Sequence, residues 1–181
     1  MVRKATREDL DEILNIYKSA RQYMKATGNP DQWGDNLPLA STVESDMESG
    51  TLYVVEREGQ LCGVMEFHIG EDPFYSGFHE LSWDYEGDYA TIHRLASNGK
   101  RSGIFSEFLE FGKRICPNIK IDTYIDNIVM CIFCLTLMYI YVPLHSLSCH
   151  MPHPYPRSPA HIPPGRKHFC GKEWMPVWPL W

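Results

Sequence analysis

The sequence predicts an α/β fold with a mixed, mostly antiparallel sheet and flanking helices. Three observations predict it: amphipathic helical periods, a hairpin with alternating apolar residues, and a strand–helix–strand crossover after the hairpin. A hairpin is antiparallel, whereas a crossover favours parallel pairing. A chain of 181 residues has room for one core of ordinary size.

Two helices are predicted before the hairpin. The first begins at Thr6, with Asp9 three residues later as in a capping box, and Gly28 ends it. Its apolar stripe consists of Leu10, Ile13, Leu14, Tyr17 and Ala20. Ser41 and Glu44 predict a second capping box, for a short helix that Gly50 closes.

The hairpin is predicted from strands at 51–55 and 61–69 around a Glu58-Gly59 turn. Side chains alternate along a strand, so one face of the second strand should be core and the other should line a cleft. The core face is predicted to hold Leu61, Gly63, Met65, Phe67 and Ile69, and the cleft face Glu66 and His68.

Residues 70–88 form a long segment rich in aromatic and acidic side chains. Such a loop suits a cationic ligand such as an amine. The alternative is a solvated acidic surface whose aromatic side chains belong to the core.

The crossover follows this segment. A strand at 90–96, a helix at 103–115 and a strand at 119–124 are predicted. The buried stripe of the helix should be Ile104, Phe108, Leu109, Phe111 and Ile115.

The turn between the predicted strand at 90–96 and the helix at 103–115 resembles a phosphate-binding site. Free N–H groups at a helix start, beside Lys100 and Arg101, attract anions. The spacings of nucleoside-triphosphate loops and dinucleotide-binding turns are absent. The alternative is a plain connection between strand and helix.

Charge divides the chain near residue 127. Residues 1–127 carry 13 basic and 22 acidic side chains, a net charge of −9, whereas residues 128–181 carry 4 and 1, a net of +3. An acidic body argues against nucleic-acid binding. Met1 leads straight into a charged strand and helix, and the six cysteines have no framework spacing, so we expect a cytoplasmic protein with reduced thiols.

The order of elements resembles the GNAT superfamily of N-acetyltransferases over residues 1–130. The segments that carry the resemblance are VRKATREDLDEILNIY, GNPDQW, TIHRLASNGKRSGIF and IDTYIDNIVM. The family phosphate loop has the pattern Gln/Arg-x-x-Gly-x-Gly/Ala, which places Lys100 at the basic position and Gly103 at the first glycine. Phe105 then stands where a small residue is usual.

The resemblance implies acetyl-CoA as co-substrate and a primary amine of a small molecule or peptide as acceptor. It implies that the loop binds the pyrophosphate, through Lys100, Arg101, Ser102, Gly103 and Ile104. It also implies that the strand backbone at Leu95 and Ala96 binds the pantetheine arm, and that Asn127 contacts coenzyme A.

The chemistry asks for a base and an oxyanion donor. A backbone N–H near Leu95 is the expected donor. The candidate bases are Glu66, His68, His79, Glu80 and His93, of which Glu80 and His93 rank first because they lie close to the 90–96 strand. No metal is expected in the site.

The family pattern breaks after Asn127, where fifteen uncharged residues lead into a Pro/His-rich tail. As a helix the apolar run spans about 22 Å, less than the roughly 30 Å of a bilayer core, so we expect no membrane span. Three interpretations stay open: a shifted reading frame near codon 128, a divergent C-terminus, or a metal-binding tail. We therefore predict a domain at 1–130 and an irregular tail at 131–181.

Two functions follow from these observations. The first is an acetyl-CoA-dependent N-acetyltransferase. The second is a catalytically defective domain with weak or no coenzyme A binding, because the closing half of the fold is incomplete or divergent. An unfinished sheet would expose an edge and apolar surface, which favours a homo-oligomer.

Overall fold

The computed structural model describes residues 1–72, 87–124, 126–140 and 147–150. The elements are β1 (Val2–Lys4), a 3-10 turn (Arg7–Asp9), α1 (Leu10–Ala26), α2 (Ala40–Glu48), β2 (Leu52–Arg57), β3 (Gln60–Ile69), β4 (Ala90–Ser97), α3 (Ile104–Ile115), β5 (Ile119–Asp122), α4 (Ile128–Ile140) and β6 (Leu147–His150). The predicted mixed α/β class is confirmed.

The strands form one sheet in the order β1-β2-β3-β4-β5-β6. Pairing is antiparallel from β1 to β4 and parallel from β4 through β5 to β6. The hairpin and the crossover therefore pair as predicted.

The two faces of the sheet bury separate clusters. One cluster packs α1 and α2 on the sheet and centres on Ile13, Tyr17, Val43, Val54 and Val64. The other packs α3 on the opposite face and centres on Met65, Phe67, Phe108, Leu109 and Ile121. Helices on both faces cover the sheet, which leaves the edges of the strands as places where a ligand can enter.

Three predictions at the level of elements need correction. The Thr6–Asp9 capping box is present, but Ser41 lies inside α2, whose N-cap is Leu39 and has no side-chain cap. Leu61 packs with the α1 cluster rather than with Met65, because β3 carries an extra residue, Cys62, opposite β2 and the alternation reverses there. Ile69, also predicted for the core face of β3, is exposed at the end of the strand. On α3, Gly112 is buried and Ile115 is exposed.

The apolar run after Asn127 forms α4, which leaves Ile128, Val129 and Ile132 more than half exposed. In the part of the chain that the structure describes, no helix is both long and apolar enough to cross a bilayer. The division into a 1–130 domain and a 131–181 tail stays a prediction.

Candidate active site

The site begins where β4 and β5 separate. Their pairing runs from Ala90 opposite Ile119 to Ile92 opposite Ile121, whereas β4 continues to Ser97. Within the described ranges, β5 therefore leaves the last part of β4 without a strand neighbour on that side. Backbone N–H and C=O groups along such an edge can bind an extended ligand.

A β-bulge in β4 shapes this edge. Val64 pairs with Ala96 and Glu66 with His93, so Met65 alone stands opposite Arg94 and Leu95. Arg94 has a φ of 48°, a left-handed conformation that is uncommon for a residue other than glycine. The extra residue bends the strand and redirects its side chains toward the gap.

Contacts from two helices hold the bulge. The Tyr17 hydroxyl of α1 donates a hydrogen bond to the Arg94 carbonyl at 3.0 Å. The Arg94 Nε donates to Asp46 Oδ2 of α2 at 2.8 Å. Burial raises the pKa of Tyr17, which keeps the hydroxyl protonated and able to donate.

A cavity of about 320 Å³ opens beside the bulge. The side chains that line it come from the α1–α2 connection, β3, β4 and the segment after β5. They are Gln32, Trp33, Glu66, His68, Asp72, Ile92, His93, Arg94, Leu95, Ile121, Thr123, Tyr124, Asn127 and Met130. The predicted cleft face of β3 thus does line a cavity.

His93 is held by a carboxylate inside this cavity. Its Nε2 lies 2.6 Å from Asp72 Oδ2, and both side chains are largely buried. A histidine whose ring N–H is held by a carboxylate is set in one tautomer and orientation. This arrangement can accept a proton from a nucleophile and stabilise the resulting imidazolium.

Glu66 is the second buried acid of the cavity. Its side chain is 5% exposed, and its Oε2 accepts no hydrogen bond from the described residues. Arg94 Nη2 lies 3.7 Å away, beyond hydrogen-bond distance. Burial raises the pKa of Glu66, and it also raises the pKa of Asp46.

The turn between β4 and α3 is ordered by its own side chains. Asn98 Nδ2 donates to the Leu61 carbonyl, and Asn98 Oδ1 accepts from the Lys100 N–H. Gly103 is the left-handed N-cap of α3, and the first α3 hydrogen bond runs from the Glu107 N–H to its carbonyl. The N–H groups of residues 104–106 consequently have no partner within the helix.

The two basic residues of the turn differ in their contacts. The Lys100 side chain is exposed, whereas Arg101 Nη2 donates to Glu58 Oε2 at 2.6 Å. Ser102 contributes its carbonyl, which accepts from Arg57 Nη1. Lys100 and the open N–H groups therefore form the anion-attracting part of the turn.

Phe105 and Asn127 connect the site to α4. The Phe105 ring lies with its centroid 4.0 Å from that of Phe133 in an edge-on contact. Asn127 caps α4, since its Oδ1 accepts from the Met130 N–H, and its Nδ2 donates to Gln32 Oε1. Phe105 thus spans the space between α3 and α4.

The structure brings some of the predicted site residues together. His93, Leu95 and Asn127 line the cavity, while Ala96 is buried in the α1 cluster and Lys100, Arg101, Ser102, Gly103 and Ile104 lie at the α3 start. Glu80 falls outside the described residues, as does most of the 70–88 loop. Whether these residues act as predicted stays open to experiment.

Sequence reasoning missed Asp72, Trp33 and Tyr124 as site residues. Asp72 and His93 are separated by 21 positions, and no local pattern joins them. Trp33 belongs to the GNPDQW segment, which carried the family resemblance but no assigned role. Across the described ranges, no group of three or more His, Cys, Asp or Glu side chains is placed to hold a metal ion.

Comparisons with known proteins support one fold. No protein-family model and no curated protein sequence matches the chain. Solved structures do match: a GNAT-family acetyltransferase from Streptococcus agalactiae is 24% identical over 76% of this chain and 83% of its own, with a TM-score of 0.67. One from Listeria monocytogenes is 20% identical over 75% and 83%, with a TM-score of 0.59.

An N-acetyltransferase from Staphylococcus aureus is 16% identical over 76% of this chain and 81% of its own, with a TM-score of 0.50. At these identities the likeness establishes the fold. The predicted resemblance is confirmed at that level.

Proposed function

Since this chain has the fold of the GNAT acetyltransferases, we propose that it transfers an acetyl group from acetyl-CoA to a primary amine. The observation that carries the proposal is the gap between β4 and β5. It places the Asp72–His93 pair beside the part of β4 that has no strand neighbour on that side among the described residues, and this edge leads to the start of α3.

The residues along this edge fit acetyl-CoA. Lys100 and the open N–H groups of residues 104–106 would hold the pyrophosphate, and the backbone at Leu95 and Ala96 would pair with the pantetheine arm. The Cβ that could crowd a phosphate at Gly103 is absent, and the space around it is open. When bound, acetyl-CoA supplies an activated thioester carbonyl.

His93 would be the base. With its ring oriented by Asp72, its imidazole would take a proton from the acceptor ammonium. The amine nitrogen then bonds to the acetyl carbon as the carbon–sulfur bond breaks. The Leu95 N–H would donate to the carbonyl oxygen. Glu80 stays a second candidate base.

The departing sulfur needs a proton. Tyr124 lines the same cavity just beyond β5 and carries the phenol that we propose for this step. After the attack the adduct nitrogen still carries one proton more than the amide, and this proton would pass to the phenolate that Tyr124 becomes when it protonates the sulfur. Overall one proton ends on the sulfur, and the one taken by His93 leaves to solvent.

One observation favours the alternative, a defective domain that binds coenzyme A weakly or not at all. Phe105 replaces the small residue of the family loop, and its contact with Phe133 joins the first turn of α3 to α4. Replacing Phe105 with a small residue tests whether its ring weakens the binding of acetyl-CoA. The Phe105→Ala variant should bind acetyl-CoA about tenfold more tightly if the ring narrows the site.

The controlling variant is Phe133→Ala, which opens the same contact from α4 without altering the loop. Calorimetric titration of both variants with acetyl-CoA provides the comparison. Unchanged affinity in both would show that the aromatic pair does not restrict the site.

The main experiment is thiol release from acetyl-CoA with a panel of amines, followed by titration with acetyl-CoA alone. Turnover supports the transferase. Heat of binding without turnover supports the defective domain that retains coenzyme A, and the absence of both contradicts the transferase.

A further inference from the structure

The Arg94 carbonyl and the Leu95 N–H belong to the same peptide unit. A peptide unit is planar and trans, so its C=O and N–H point in opposite directions. A group that fixes the Arg94 carbonyl therefore also fixes the direction of the Leu95 N–H. This N–H is the oxyanion donor of the proposed reaction.

Tyr17 of α1 holds this carbonyl. Its hydroxyl donates to the Arg94 carbonyl oxygen at 3.0 Å. The Tyr17 side chain is fully buried, and its ring packs edge-on against Trp33 with the centroids 5.6 Å apart. A ring enclosed in this way keeps one rotamer, so its hydroxyl stays beside β4. The Leu95 N–H is consequently directed away from the Tyr17 hydroxyl.

The backbone at this peptide depends on such support. Arg94 has a φ of 48°, and a non-glycine residue keeps a conformation of this kind only where its surroundings impose it. Two contacts do so. Asp46 holds the guanidinium through Arg94 Nε at 2.8 Å, whereas Tyr17 holds the peptide itself.

The hydrogen bond from Tyr17 also strengthens the donor. A carbonyl that accepts a hydrogen bond polarises its peptide unit, and the N–H of that unit becomes a better donor. The thioester oxygen gains negative charge in the transition state of acyl transfer and carries little in the ground state. A stronger and aligned N–H therefore lowers the reaction barrier more than it tightens the binding of acetyl-CoA.

We propose that Tyr17 is a positioning residue for acetyl transfer, acting through the Arg94–Leu95 peptide to direct its N–H at the thioester oxygen. This role rests on the proposed function for the oxygen that receives the hydrogen bond. For the direction of the N–H it rests on the contact between α1 and β4.

The Tyr17→Phe variant tests the role, because it removes the hydroxyl and keeps the ring. Its kcat for thiol release from acetyl-CoA should fall by about tenfold or more, since the N–H loses its alignment in the transition state. The Kd of acetyl-CoA, measured by calorimetric titration, should stay within about twofold of the parent value. A variant whose site is merely damaged would lose affinity and rate together.

Two control variants separate the hydroxyl from general effects on α1. Tyr23→Phe makes the same chemical change on an exposed side chain of the helix, and Ile13→Val loosens the packing of the α1 cluster. Both should keep the kcat and the Kd of the parent. An unchanged kcat in Tyr17→Phe overturns the proposal, as does an equal loss of kcat in Ile13→Val.

The backbone amide of Leu95 provides a second measurement, which needs no turnover. In NMR spectra of the isotope-labelled protein without ligand, Tyr17→Phe should shift the Leu95 amide resonance more than that of Thr91, farther back along β4. A Leu95 resonance that does not move overturns the proposal even if kcat falls.

The parent protein gives an outcome that does not depend on whether the variant folds. Addition of acetyl-CoA should shift the Leu95 amide resonance, and an unmoved resonance in the complex would show that this N–H is not the donor. A parent that releases no thiol with any amine contradicts the proposed function. The effect of Tyr17→Phe on the Leu95 resonance then decides separately whether Tyr17 sets the direction of the N–H.

Discussion

The orientation of His93 depends on one hydrogen bond. Asp72 Oδ2 lies 2.6 Å from His93 Nε2, and the carboxylate is 9% exposed. A carboxylate in this position sets the tautomer and stabilises the positive ring that forms when a proton is taken. Asp72 is thus a positioning residue that acts through His93.

The Asp72→Asn variant should lower kcat/KM by about tenfold to a hundredfold, because the amide no longer stabilises the imidazolium. The acidic limb of the pH–rate profile should also move to lower pH, since a neighbouring negative charge is lost. Rates of thiol release measured between pH 5 and 9 provide both readouts.

Asp35→Asn is the matched control, because Asp35 is 87% exposed and pairs with Lys25 away from the cavity. It should leave rate and profile unchanged. A rate loss in Asp72→Asn without a shifted limb would contradict the positioning role and indicate damage to packing.

At the level of elements, α3 approaches β3 closely at Gly63. A Cβ at this position would lie 2.4 Å from Ile104 Cγ2 and 3.2 Å from Phe108 Cε2. Ile104 is the first residue of α3, so the same contact that packs the helix also places its N-terminus.

Gly63→Ala should lower the free energy of unfolding by about 1–3 kcal/mol and weaken acetyl-CoA binding, because the methyl group displaces the start of α3. Gly112→Ala is the control. A Cβ added at Gly112 would contact Phe67 and Ile119 near the other end of the helix. Alanine also has a helix propensity about 1 kcal/mol more favourable than that of glycine. Equal loss of acetyl-CoA affinity in both variants would contradict the local explanation.

At the level of the whole molecule, Arg3 joins three elements. Its guanidinium donates two hydrogen bonds to Asp9, at 2.7 and 2.9 Å, and a third to Glu56 of β2. The edge strand β1, the start of α1 and the hairpin are tied together by this one side chain. Its hydrogen bond to Asp9 holds the pKa of that carboxyl below the ordinary 3.8.

Asp9→Asn should lower the free energy of unfolding at neutral pH by about 1 kcal/mol, since the ion pair and part of the cap are lost. A carboxyl with a lowered folded pKa stabilises the fold above its unfolded pKa of 3.8 and ceases to do so as pH falls through the lower folded value. The difference between variant and parent should therefore shrink below pH 3.8.

Denaturant unfolding at several pH values measures this difference. Glu58→Gln is the control, because Glu58 is 78% exposed and its pair with Arg101 should contribute little. A difference that stays constant down to pH 2 would show that the charge of Asp9 is not responsible.

The parts of the fold that sequence predicted depend on neighbours in the chain. The Thr6–Asp9 box and the Glu58-Gly59 turn, with φ values of 55° and 72°, are local signals of this kind. The start of α3 at Gly103 was predicted from the same kind of local signal. Each follows from backbone preferences of a few residues.

The remainder depends on partners that are distant in sequence. The bulge at Cys62 reverses the face of Leu61, and composition alone cannot reveal an extra residue opposite β2. The Asp72–His93 contact and the unmatched oxygen of Glu66 exist only after β3 and β4 have paired. The chemistry of the site therefore required the tertiary structure.

The left-handed backbone conformation of Arg94 affects which residues this position can accept. A backbone conformation of this kind costs about 1 kcal/mol or more, and glycine would adopt it without strain. Glycine or asparagine at position 94 would relieve this strain but would leave the largely buried Asp46 without its guanidinium, which costs about 1–3 kcal/mol. Selection for thermal stability alone should therefore keep arginine, so this strained backbone is retained for the contact that its side chain makes.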